Sequence, residues 1–123
     1  MWLFTTFGFF SIVQKKDTDF LTIRARKREH LIELVTRYPL ETACDIVELH
    51  VCDYRYRIAC EREDLMRVIP DIVRDVTYSN FKDAVASTLE LEYVDVLHNV
   101  WDAALDLDPA IAEFMRMPLK NFP

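Results

Sequence analysis

An α+β fold is predicted by two patterns and one absence. Residues 1–61 are strand-rich, with alternating apolar and polar side chains over 20–26, 45–51 and 54–60. Residues 62–117 carry apolar residues at helical spacing. No linker, repeat or low-complexity segment separates the halves, so strands followed by helices predict one α+β layer structure. The expectation is an antiparallel sheet of four or five strands from the N-terminal half. Three or four helices from the C-terminal half would pack on one of its faces. The 123 residues suffice for one hydrophobic core and are too few for two, so 1–123 reads as one domain with a loose tail at 118–123.

Residues 2–6 and 9–15 are rich in aromatic and β-branched residues, with Gly8 at their connection, and predict a hairpin. A polar turn at 15–19 leads into residues 20–26. There Leu21, Ile23 and Ala25 point one way, and Thr22, Arg24 and Arg26 the other. Leu31, Leu34, Val35 and Tyr38 mark an amphipathic helix over 27–38 that Pro39 ends. Residues 45–51 and 54–60 alternate again, with Val47, Leu49 and Val51 on one face and Tyr54, Tyr56, Ile58 and Cys60 on another. Cys52-Asp53 links them as a second hairpin.

In residues 63–76, Leu65, Ile69, Ile72, Val73 and Val76 form an apolar stripe, and Pro70 predicts a kink or break. Ser79 or Asn80 caps a helix over 81–87. A longer helix over 90–107 buries Tyr93, Leu97, Val100, Trp101, Ala104 and Leu105. Asp108-Pro109 is a cap followed by a first-turn proline, and opens a last helix to about residue 117.

Composition excludes several functions. A single glycine, Gly8, leaves no phosphate-cradling loop, because those loops need several glycines for close backbone approach. No serine sits between the glycines of a nucleophile elbow. His30, His50 and His98 lack metal-pair spacing, and Cys44, Cys52 and Cys60 lack the tight knuckles of a zinc site, so no metal and no cofactor is expected. The odd cysteine count predicts buried, reduced thiols and a cytoplasmic setting. The apolar residues 1–13 fall short of a membrane span and lack the basic start of a secretory signal, so they read as structure.

The segment Met1-Trp2-Leu3-Phe4-Thr5-Thr6-Phe7-Gly8-Phe9-Phe10-Ser11-Ile12-Val13 resembles the opening of a family of small uncharacterised bacterial proteins. Leu21-Thr22-Ile23-Arg24-Ala25-Arg26, Asp53-Tyr54-Arg55-Tyr56-Arg57, Tyr78-Ser79-Asn80-Phe81-Lys82 and His98-Asn99-Val100-Trp101 with Leu105 extend the resemblance. It departs at 39–52 and after Leu107, and at Arg55, where similar members often carry proline. The resemblance implies a bacterial origin and a shared fold, and no activity.

Charge supplies the candidate site. Net charge is +1 over residues 1–62 and −7 over 63–123. The acidic half disfavours nucleic acid overall and leaves it an option on the basic strand face. Arg24 and Arg26 share one strand face, and Arg55 and Arg57 share another. If the strands are neighbours, four guanidiniums converge, and their forks fit phosphate or carboxylate. Tyr78, Asn80 and Lys82 at a helix start could complete an anion corner, and His98 sits one residue off a buried stripe. A solvated face countered by Glu29, Glu48 or Glu61 accounts for the same arginines. The leading expectation is a non-enzymatic partner-binding or regulatory module of bacterial or phage type, acting through the arginine face, the acidic helices or both. The alternative is a small-anion-binding protein or enzyme using Arg24, Arg26, Arg57, Tyr78 and Lys82. A homodimer closed by exposed Phe or Trp of the first hairpin is a third reading.

Overall fold

A computed structural model describes residues 1–87 and 90–118. The fold is α+β, and the chain forms two compact units, Met1–Phe81 and Lys82–Pro123. Among the described residues, no helix is long and apolar enough to cross a membrane.

The first unit is built on an antiparallel five-stranded sheet: β1 (Trp2–Thr5), β2 (Gly8–Val13), β3 (Leu21–Ala25), β4 (Val47–Glu48) and β5 (Tyr56–Cys60), in the order β1-β2-β3-β5-β4. Helix α1 (Arg28–Arg37) follows β3, and α2 (Arg62–Arg74) follows β5. The alternation of β2, β3 and β5 decides which face is covered. Phe10, Ile12, Leu21, Ile23, Ala25, Ile58 and Cys60 all project to one side and meet Leu31 and Leu34 of α1 with Leu65 and Val68 of α2. Ile23 and Leu31 have no exposed surface, so each contributes about 1.5–3 kcal/mol of burial.

Several details differ from the sequence expectation. Gly8 is not the turn of the first hairpin; it is the first residue of β2, paired with Thr5. A Cβ there would lie 2.6 Å from the ring of His30, so the helix–sheet packing demands glycine. Only Val47 and Glu48 of residues 45–51 form a strand, because Val47, Leu49 and Val51 face no core; Val51 is 96% exposed. Helix α2 runs through Pro70 without a break. Its buried stripe is Leu65 and Val68, while Val73 is 63% exposed. Of the three thiols only Cys60 is buried, and that burial pushes its pKa up to about 11.

A buried carboxylate ties the segment after α1 to the start of α2. Asp64, 2% exposed, accepts hydrogen bonds from the Thr42 N–H (2.9 Å) and hydroxyl (2.5 Å) and from Arg67 (3.0 Å). Burial alone would raise its pKa, but these bonds outweigh it and hold the group below the usual carboxylate range.

The second unit carries α3 (Phe81–Ala86, its first residue belonging to the first unit), α4 (Leu91–Ala104), a 3-10 turn (Leu105–Leu107) and α5 (Pro109–Met115). The Asp108 carboxylate accepts from the Ile111 N–H at 3.4 Å, with Pro109 opening the helix as the sequence predicts. Tyr93 and Leu97 are buried as expected, whereas Val100 and Trp101 of the same predicted stripe are exposed. The expected loose tail lies, apart from Pro118, outside the described residues.

Candidate functional site

The strand registers align one row of side chains across the whole sheet. Trp2 is opposite Ser11, Ser11 opposite Arg24, Arg24 opposite Arg57, and Arg57 opposite Val47. Directly opposed residues share a face, so this row lies on the side away from α1 and α2. Beside it, Phe4 and Phe9 form a stacked pair with centroids 4.4 Å apart, and the Trp2 ring stands edge-on to both.

Tyr54 is the centre of this face. The alternation of residues 54–60 assigns it to the core with Tyr56, but β5 begins only at Tyr56, and Tyr54 packs on the opposite side. It is 4% exposed, with Phe9 at 6.2 Å between ring centroids. The Arg24 guanidinium carbon lies 4.6 Å and that of Arg26 4.9 Å from the centroid of the ring, so two cations share one aromatic surface.

These arginines have neutral partners. Arg24 donates from Nη2 to the Ser11 hydroxyl at 2.7 Å, and Arg57 donates from Nη2 to the Tyr54 carbonyl at 3.1 Å. The Nε atoms of both are buried without an acceptor among the described residues. Like charges directly opposed on a sheet repel, and a buried donor without an acceptor costs about 1–3 kcal/mol. Arg24 and Arg57 are therefore opposed in register with only neutral hydrogen-bond partners among the described residues: a hydroxyl for Arg24 and a backbone carbonyl for Arg57.

The other sequence candidates go elsewhere. Arg55 does not join the group: it pairs with Glu48 at 2.8 Å, one of the counter-ions the sequence suggested, and lies over Tyr56. Tyr78 packs on Phe81, with centroids 5.8 Å apart, and Asn80 directly precedes α3. Lys82 and His98 belong to the second unit, where both lie on Trp101. The Lys82 ammonium is 4.3 Å from the ring centroid and the His98 ring is stacked at 6.0 Å. Part of the acidic charge there is neutralised locally, since Arg116 donates to Asp102 at 3.2 Å and to Asp106 at 2.7 Å.

Sequence reasoning missed Ser11 and Tyr54. Ser11 is marked by its parity, opposite to Phe10 and Ile12. The only signal for Tyr54 is the preceding Asp53, whose side chain accepts from the Tyr54 N–H at 3.0 Å and breaks the strand pattern.

The nearest described cleft, about 260 Å³, is lined by Lys15, Thr22, Cys44, Val47, Arg57, Ile58 and Ala59, and takes in only Arg57 of the arginine group. No family model, curated protein or solved structure matches this chain.

Proposed function

We propose that the protein is a non-enzymatic binding module whose arginine face takes an acidic segment of a partner protein. The observation that carries this reading is the Arg24–Arg57 pair, opposed across β3 and β5 with no carboxylate hydrogen-bonded to either among the described residues. A partner carboxylate reaching the Nη1 groups would remove the mutual repulsion and gain charge-assisted hydrogen bonds. Arg26 extends the cationic surface, and Trp2 and Phe4 with Phe9 supply apolar contact beside it. The three free thiols support a reducing, cytoplasmic setting, and the resemblance read from the sequence supports a bacterial one.

A Glu-rich peptide should bind the wild-type chain in fluorescence anisotropy, with an affinity that falls as salt rises. Arg24→Ala and Arg57→Ala should each weaken it by roughly tenfold, the scale of one charge-assisted bond. Arg55→Ala should leave it unchanged. Equal binding by all four proteins would overturn the reading. A second reading rests on the cleft that joins Lys15 and Thr22 to Arg57: a small carboxylate or phosphate held there. Saturable phosphate binding that Lys15→Ala abolishes, with no peptide binding, would favour it.

A further inference from the structure

We infer that β1 is a pairing edge for a second copy of this chain, joining two sheets antiparallel through Trp2 and Phe4. The Met1 ammonium donates to the Ile12 carbonyl at 2.9 Å, and the Ile12 N–H donates to the Met1 carbonyl at 2.8 Å. Hydrogen-bonded and non-bonded pairs alternate along an antiparallel ladder, so Leu3 with Phe10 and Thr5 with Gly8 make the next inward pairs. Trp2 and Phe4 therefore direct their N–H and C=O groups away from β2, at the edge of the sheet.

The two edges of this sheet are built differently. β4, at the far edge, has two residues, and its Glu48 is bridged to Arg55, with Asp45 and Asp53 nearby in sequence. Shortness and charge are the usual devices against edge-to-edge pairing. β1 has four residues, and residues 1–14 contain no charged side chain and no proline. Trp2 is 66% and Met1 65% exposed. With no charged side chain, the strand meets its own copy without side-chain repulsion, and in an antiparallel pair the two Met1 ammonium groups lie at opposite ends. The arginine rows stay apart: two Arg24 residues would be separated by five strand spacings, about 24 Å, well beyond a Debye length of about 10 Å. This pairing uses the backbone edge of β1, whereas the anion reading uses the Arg24–Arg57 row; the Trp2 and Phe4 side chains border both.

Sedimentation equilibrium of the full chain should show a monomer–dimer equilibrium. Trp2→Lys should weaken self-association by roughly tenfold or more. Circular dichroism should confirm that this variant, changed at an exposed position, is folded. Phe4→Pro, which removes an outward N–H together with the ring stacked on Phe9, should act in the same direction, with circular dichroism again checking the fold. Hydrogen exchange separates edge pairing from any other dimer: the Trp2 and Phe4 amides should be protected in concentrated wild type and exchange freely on dilution. A wild-type monomer at every accessible concentration would overturn the inference. So would a dimer whose Trp2 and Phe4 amides exchange freely at all concentrations.

Discussion

The two faces of the sheet are made by alternate residues of the same strands, and they follow opposite rules. Ile23 and Arg24 are adjacent in β3. Ile23 is opposite Ile58 in a face with no polar group left over, and Arg24 is opposite Arg57 in a face where two cations find only neutral partners. The covered face pairs its apolar groups with one another, while the arginine face opposes two like charges in register, an arrangement that costs stability unless something outside it supplies an anion.

Substitutions on the covered side should have the largest effect. Ile23→Ala removes most of a fully buried side chain and should cost about 2–5 kcal/mol in urea denaturation. Gly8→Ala should follow, at about 1–3 kcal/mol, because its new methyl meets the His30 ring at 2.6 Å. In a His30→Gly background, where both the ring and the Cβ at 2.7 Å are gone, Gly8→Ala should add little further loss; an undiminished loss there would break the steric account.

Asp64 sharpens the contrast, because it is a buried charge with its partners present. Its depressed pKa means that its stabilisation is fully present above the unfolded-state value of about 3.9 and is lost as pH falls through the folded value. Asp64→Asn should therefore cost about 1–3 kcal/mol at neutral pH and flatten the acid side of the stability curve. An unchanged acid limb would show that other carboxylates govern it.

The smallest effect is expected at Arg24. Arg24→Ala relieves the repulsion with Arg57 while losing the Ser11 bond and the Tyr54 contact. These terms nearly offset, so stability should change by less than about 1 kcal/mol. A loss as large as that of Ile23→Ala would make Arg24 a structural residue and remove the contrast between the faces.

Local chemistry made much of the fold legible. The alternation of residues 21–25, the stop at Pro39 and the Asp108-Pro109 start are each decided within a few residues. The site was only partly legible, because its central fact is a cross-strand register. Residues 24 and 57 are separated by α1 and β4, and no local pattern says that they are opposed. Tyr54 was hidden for a related reason: its parity matches the core face of β5, but the strand begins two residues later. Residues 45–51 show the reverse error, an alternating pattern with no second surface to bury its apolar side. The value of Gly8 depends on His30, a helix residue distant in sequence, and so reads at first as an ordinary turn glycine.

The most direct test of the arginine face is side-chain NMR. The Nε–H resonances of Arg24 and Arg57 should be followed while a Glu-rich peptide is added at constant ionic strength. The account predicts that both shift together and saturate at the same peptide concentration, while Arg55, already paired with Glu48, stays in place. Saturable peptide binding that leaves Arg24 and Arg57 unmoved would contradict it.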